Sequence, residues 1–284
     1  MANPISGRGG SVRIVEALAE TLGAEHDLTI HLTSARGDAV EFARRVAGVA
    51  DVVVAAGGDG TLNEVVNGLA GTSVPVLPVP LGLSNVLAVE LGAAVEPAEV
   101  ARRLDAMKVR EIDLIRADHS GGASRFFCAM AAVGFDAGVV ERIARRRVKH
   151  LGFTGYVPHV VASVFRGSRP FSVTVDGRPV SSRARYLVVG NVSRYGGPFR
   201  IATRAVPDDG LFDAVLLEGG PARVLLFYAG VLFGRHLSHR GVRRFRCREL
   251  AADGDEPLHV DGEWIGYAPV RFSVAGRTRF VVGG

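Results

Sequence analysis

Residues 51–68 read Asp51-Val52-Val53-Val54-Ala55-Ala56-Gly57-Gly58-Asp59-Gly60-Thr61-Leu62-Asn63-Glu64-Val65-Val66-Asn67-Gly68, the order of a buried strand, a glycine turn and a helix start. The β-branched run through Val54 suits a strand. Thr61 is a capping residue type, which predicts a helix beginning at Leu62 or Asn63. Gly57, Gly58 and Gly60 let the backbone take positive φ and let a ligand approach its amides. A helix start adds unpaired N–H groups and the positive end of a dipole. Together these make an anion cradle suited to nucleotide phosphates. Asp59 sits inside it. A carboxylate there repels phosphate unless it binds metal or handles a proton, so it points to chemistry as well as binding. No Lys-Ser/Thr pair follows the last glycine and Gly-x-Gly-x-x-Gly spacing is absent, which excludes the two common phosphate-binding fingerprints.

Working outward, the N-terminal part alternates strands and helices. Asn3 to Gly10 reads as a loop that expects a strand before it, although only Met1 and Ala2 precede it. A helix over Ser11–Leu22 follows, then a strand over Leu28–Thr33 and a helix over 37–49. After the glycine loop come a short buried strand at Val74–Pro80 and helices at 86–91 and 97–104. That alternation predicts a parallel α/β sheet of Rossmann-like type. From Glu111 onward strands dominate, at 112–117, 125–131, 171–175, 185–191, 214–217, 243–250, 258–260 and 270–274. This is the texture of an antiparallel β-sandwich. Two helical inserts interrupt it, at roughly 137–165 and 222–233. The expected domains are therefore 1–110, an α/β nucleotide-binding domain, and 111–284, a β-sandwich domain.

With 284 residues and 48% hydrophobic content, a packed core is assured. A net charge of +5 allows nucleotide, anionic lipid or nucleic acid as partner. Aromatic residues make up only 7% and no nucleic-acid motif is present, so sequence reading of nucleic acid is not expected. Cys128 and Cys247 lack metal spacing and read as reduced core residues of a cytosolic protein. The longest apolar stretch, Pro221 to Gly234, is too short to cross a bilayer. His236 and His239 lack a third ligand and read as surface histidines beside arginines. The basic run Arg142, Arg145, Arg146, Arg147 and Lys149 reads as a solvated helix face, with attraction to anionic headgroups as the alternative. Leu225 to Tyr228 reads as core, with acyl-chain or bilayer contact as the alternative.

Further motifs lie in order along the chain: Asn3-Pro4-x-Ser6-Gly7, Thr33-x-x-x-Gly37-Asp38-Ala39, Pro80-x-Gly82-x-x-Asn85-Val86-Leu87-Ala88, Gly134-Phe135-Asp136-Ala137, Asn191-x-x-x-Tyr195-Gly196-Gly197, Asp209-Gly210-Leu211-Phe212-Asp213 and Asp261-Gly262-Glu263. With the glycine segment at their centre, the chain resembles the bacterial diacylglycerol kinase/lipid kinase family, related to sphingosine kinases and more remotely to NAD kinases. The resemblance implies ATP γ-phosphoryl transfer to a lipid hydroxyl, with Mg²⁺. It implies a nucleotide site opened by Asn3, Ser6 and Gly7, joined by Thr33, centred on Gly57, Gly58, Asp59, Gly60, Thr61 and Glu64, and closed by Gly82, Ser84 and Asn85. Glu263 is implied as general base, while sphingosine kinases give that role to the aspartate matching Asp59. A Mg²⁺ in the β-domain is implied on Asp209 and the carbonyls of Val206 and Leu211. The family usually has Thr after the third loop's glycine, where this chain has Leu83 and then Ser84.

The implied setting is cytoplasmic and peripheral at the inner membrane face, with a lipid substrate and with a homodimer allowed. Two other readings stay open: a kinase of a soluble metabolite, as NAD kinases are, and a lipid- or nucleotide-binding protein with little catalysis. Diacylglycerol, phosphatidylglycerol, sphingoid bases and ceramide all present a primary hydroxyl, and the sequence does not choose among them.

Overall fold

The computed structural model describes residues 1–7, 11–122, 124–146, 159–160, 162–163, 167–196 and 199–283. The chain divides into two compact units, Met1–Ile112 with Gly276–Gly284, and Asp113–Ala275.

In the first unit, β1 (Val53–Gly57) and β2 (Val76–Pro80) pair in parallel, with Val53 opposite Val76 and Gly57 opposite Pro80. On the other side of β1, Ala2 makes parallel bridges to Ala56 and to Leu32. Its amide donates to the His31 carbonyl at 2.9 Å and the Asn3 amide donates to Ala56 at 3.0 Å. Met1–Asn3 thus fills the strand position that the Asn3 loop requires. The strand expected over 28–33 shrinks to the single bridge at Leu32, because Ala2 offers only one residue of pairing there. Helices α1 (Ser11–Gly23), α2 (Asp38–Val46), α3 (Asp59–Leu69), α4 (Val86–Glu90) and α5 (Pro97–Ala106) complete the unit. Leu18 and Leu22 of α1, Val100 and Leu104 of α5, and Leu77 and Val79 of β2 share one apolar core. Val281 belongs to the same core, and the Val282 amide donates to Lys108. That is why the final residues join this unit, where the sequence reading kept everything after 111 in the second domain.

The second unit is built on antiparallel pairing. Its sheet runs β12 (Glu249–Asp253), β6 (Phe171–Val175), β7 (Arg178–Gly190), β5 (Met130–Gly134), β13 (Pro257–Val260) and β14 (Glu263–Tyr267). The long β7 also pairs with β10 (Phe212–Glu218), which carries β11 (Val242–Cys247). β3 (Val109–His119) pairs with β4 (Ser124–Phe127), and the first residues of β15 (Val270–Val281) pair with β12. Alternation along β7 serves two faces. Leu187 and Val189 enter the apolar core between the layers. Tyr186 instead meets Phe135 of α6 (Phe135–Arg145) and Phe227 of α7 (Pro221–Leu232) edge-on. The apolar run of β7 is therefore buried on both sides. Part of the first helical insert, 147–158, lies outside the described residues.

The strand expected over 125–131 is two strands, β4 and β5. Asn191 enforces the break between them. Fully buried, it donates through Nδ2 to the carbonyls of Cys128 at 3.0 Å and Asp113 at 2.9 Å. Its own amide donates to Ala129. Cys128 and Cys247 are free and buried, and burial pushes both thiols up. Asn191→Ala removes both side-chain donors from the break. The expected result is a loss of about 2 kcal/mol in urea unfolding without a change in slope.

Candidate active site

Four loops at the carboxyl ends of the first unit's parallel strands hold one another in place. Such strand ends are where open α/β sheets bind ligands. The helix α3 starts at Asp59, with Gly58 as its cap, and not at Leu62 or Asn63 as the sequence predicts. Thr61 does not cap it. Its side chain turns inward against Gly57, where an added Cβ would come within 2.5 Å of it, and its hydroxyl accepts from Asn3 Nδ2 at 3.3 Å. The first-turn N–H groups of Asp59, Gly60 and Thr61 have no helical acceptor.

The third loop packs directly on the glycine loop that leads into α3. The Leu81 amide donates to the Gly57 carbonyl at 2.8 Å. A Cβ on Gly82 would stand 2.6 Å from the Gly58 Cα and 2.8 Å from Asn85 Oδ1. A Cβ on Gly7, at φ 75°, would stand 2.3 Å from the Leu81 carbonyl oxygen. Asn85, in the left-handed region, uses its side chain on Gly82. It accepts from the Gly82 amide at 2.9 Å and donates to its carbonyl at 2.7 Å.

Asp59 ties the assembly together. Its Oδ1 accepts from the Val86 amide at 2.6 Å, joining the start of α3 to the start of α4. Burial pushes its pKa up to about 6, against hydrogen bonds from backbone amides that favour the ionised form. It lines a narrow crevice with Gly57, Gly58, Leu62, Pro78 and Asn85.

Several residues expected at the nucleotide also hold loops. Glu64 accepts from the amides of Gly37 at 2.9 Å and Ala39 at 3.1 Å, pinning the second loop to α3. In that loop Asp38 accepts from Ser34 and Ala35, and these bonds hold its carboxyl below the usual range. Thr33 donates its amide to Ala2, and the Ser6 carbonyl accepts from the Ser11 hydroxyl. Ser84 is exposed beside Leu83, which is itself 51% exposed.

The second unit places Glu263 at the start of β14, after a turn in which Asp261 and Gly262 both have positive φ. Arg125 Nη2 donates to Glu263 Oε2 at 2.7 Å. Asp261 anchors the turn, accepting from the Met130 amide at 2.9 Å and donating its own amide to Met130 at 2.8 Å.

Asp209 departs from its expected role. Its Oδ1 accepts from the Leu211 amide at 3.0 Å and its Oδ2 accepts from Arg246. Its turn is fixed by buried Asp113, which accepts from the Gly210 amide at 2.6 Å. A guanidinium already supplies the positive charge that a cation would bring. Arg246 thus occupies an Asp209 carboxylate oxygen at the place where the resemblance implies Mg²⁺ with the carbonyls of Val206 and Leu211. Among the described residues, no three His, Cys, Asp or Glu side chains form a metal-binding group. His236 also departs from expectation. It is buried, bonds the Ile201 carbonyl at 3.1 Å through Nε2 and packs edge-on against Phe227, and burial lowers its pKa.

One cluster has no assigned role in the sequence reading. Asp136, in the first turn of α6, accepts from Tyr195 and lies 3.0 Å from His259 Nε2 through Oδ2, and accepts from Tyr228 at 3.0 Å through Oδ1. The Tyr228 hydroxyl also lies 3.0 Å from the Tyr186 hydroxyl. Burial alone would raise the Asp136 pKa, but His259, Tyr195 and Tyr228 outweigh it and hold it below the usual range. The signal was partly legible, since Asp136 and Tyr195 sit in quoted motifs and His259 lies two residues before Asp261.

The chain thus combines an α/β unit with converging glycine loops and an antiparallel β-unit carrying a paired glutamate. Residues 1–117 match the diacylglycerol kinase catalytic domain, and residues 129–281 match the YegS C-terminal NAD kinase beta sandwich-like domain. The chain belongs to the bacterial diacylglycerol kinase/lipid kinase family. It is 28% identical over 285 residues to a diacylglycerol kinase of Mycobacterium tuberculosis, covering 96% of this chain and 90% of that one. In fold it is similar to a Bacillus anthracis protein assigned to the diacylglycerol kinases, with TM-score 0.81, 22% identity, and 99% and 93% of the two chains covered. It is also similar to an NAD kinase of Archaeoglobus fulgidus solved with ATP, with TM-score 0.54, 14% identity, and 99% and 91% covered.

Folding raises the Asp59 pKa from 3.8 to about 6, so between those values the folded chain keeps a proton that the unfolded chain has lost. The stability from that proton is complete below pH 3.8 and is lost as pH rises through 6. Asp59→Asn keeps an oxygen for the Val86 amide and removes the titration. Its stability relative to wild type should rise between pH 4 and 7 by about 1–3 kcal/mol, the partial exposure of the carboxylate reducing the full effect. Urea midpoints at the two pH values read this directly.

Proposed function

We propose that the chain is an ATP-dependent lipid kinase, which moves the γ-phosphoryl group of ATP to a lipid hydroxyl. The observation that carries this reading is the locked pair of glycine loops with Asp59 at their junction. Gly57, Gly58 and Gly60 present bare backbone, and the α3 start presents N–H groups, to the phosphates of MgATP. Phosphoryl transfer asks mainly for alignment and neutralisation of charge. Packed loops supply alignment without reorganisation.

In the reaction, the acceptor hydroxyl oxygen bonds to the γ-phosphorus and the bond to the β,γ-bridging oxygen breaks. ADP leaves and the hydroxyl proton passes to a carboxylate. Glu263, oriented by Arg125, is the acceptor the family resemblance suggests. Asp59, with its pKa near 6, has the basicity that suits proton transfer near neutral pH. The lipid acceptor is supported by the names of relatives at about 28% identity, such as the Mycobacterium tuberculosis diacylglycerol kinase.

The test is transfer of labelled phosphate from ATP, with Mg²⁺ present, into a mixed-lipid extract. Wild type should label a lipid. Asp59→Asn and Glu263→Gln should each lose about 10²- to 10⁴-fold in turnover. If Asp59 takes the proton, the Glu263→Gln residual activity keeps an acid limb near pH 6. Label found only in a soluble acceptor would overturn the lipid reading. Undetectable ATP binding would overturn the kinase reading.

A further inference from the structure

Helix α7 reads Pro221-Ala222-Arg223-Val224-Leu225-Leu226-Phe227-Tyr228-Ala229-Gly230-Val231-Leu232. Its inner side is accounted for by Val224, Phe227 and Val231, all buried. Its outer side is apolar as well. Leu225 is 50% exposed and Leu226 59%, and Phe233, just past the last turn, is 78% exposed. With Ala222 and Ala229, also exposed, they recur at the spacing of one helical face. A helix that is apolar all round, apart from Arg223 and Tyr228, is normally covered on every side. The surrounding charge has one sign. Between Glu218 and Glu249 there is no acidic residue and there are seven arginines, at 223, 235, 240, 243, 244, 246 and 248. Arg246 is paired with Asp209, while Arg223, Arg235 and Arg240 are exposed around α7.

Twelve residues of helix span about 18 Å, short of the roughly 30 Å hydrocarbon core of a bilayer. No helix among the described residues is long and apolar enough to cross a membrane. We infer that the outer face of α7, with Phe233 and the arginines beside it, docks flat onto an anionic bilayer. Leu225, Leu226 and Phe233 enter the acyl boundary, and Arg223, Arg235 and Arg240 meet the headgroups. Interfacial helices combine these two features. The inference rests on the lipid-acceptor reading for its purpose, since a lipid hydroxyl must be met at a membrane surface.

The experiment is vesicle co-sedimentation of the full chain without ATP. The probes are equimolar phosphatidylglycerol/phosphatidylcholine vesicles and phosphatidylcholine vesicles alone. Wild type should sediment with the anionic vesicles, release at high salt, and bind phosphatidylcholine at least ten-fold more weakly. Leu226→Glu combined with Phe233→Glu should cut anionic binding at least ten-fold, with circular dichroism unchanged because both side chains are exposed. Arg235→Gln combined with Arg240→Gln, a second variant that leaves the apolar face intact, should weaken binding several-fold and flatten its salt dependence. Equal binding by wild type and the glutamate variant would overturn the inference, as would a wild type that ignores anionic vesicles. A dimer in solution that the glutamate variant splits, with vesicle binding unchanged, would assign the face to a second copy and overturn it too. Vesicle binding lost in the variant, with no lipid labelled by wild type, would leave this surface standing and refute only the lipid-acceptor reading.

Discussion

The contact of Gly58 with Gly82, bridged by the Asp59 carboxylate on the Val86 amide, constrains the whole nucleotide face of the first unit. Side chains have been removed where the loops touch, so backbone meets backbone. The remaining polar groups are then used twice over. Asn85 closes the third loop on itself, Glu64 holds the second loop, and Asn3 reaches Thr61 from the first. The first turn of α3 adds main-chain N–H groups without helical acceptors, which favour anions. The cost is a carboxylate held where burial disfavours its charge. The structure tolerates it because neighbouring backbone amides favour the ionised form. A carboxylate whose pKa is raised to about 6 results from the same contact that shapes the cradle.

The second unit solves a different problem. Asp136 gathers three tyrosine hydroxyl groups and a histidine into one hydrogen-bonded cluster under α6 and α7. Buried polar networks of this kind specify one packing when every member is satisfied. Glu263 follows from a tight turn tied to β5 by Asp261, so its backbone position is set by the sheet and its side chain by Arg125. At Asp209 an arginine stands where a cation was expected, and the turn is stabilised by charge within the chain.

Much of this was legible in the sequence because local chemistry and tertiary packing agree. The run Val52–Gly60 could hardly be anything but strand, turn and helix start, and the alternation after Glu111 gave the antiparallel unit. The errors arose where a distant residue decides. Thr61 looks like a cap, yet Gly57 leaves it room to turn inward and Asn3 takes its hydroxyl. Glu64 also has a structural task that no local pattern announces, since its two oxygens accept from amides 25 and 27 residues away. Asn191 splits an apparently continuous strand from 63 residues downstream, and the pairing of Asp209 with Arg246 joins neighbours that no local pattern links. His236 sits among arginines in sequence while its ring is in the core.

The central claim is that the two glycine loops form one nucleotide seat only because they can touch. Calorimetric ATP binding to wild type and to Gly82→Ala tests it most directly. The added methyl would stand 2.6 Å from the Gly58 Cα and must push the loops apart. The account predicts micromolar-range binding by wild type, a loss of about ten-fold or more in the variant (about 1.4 kcal/mol or more), and a folded variant by circular dichroism. Equal ATP affinity in the two proteins would contradict it.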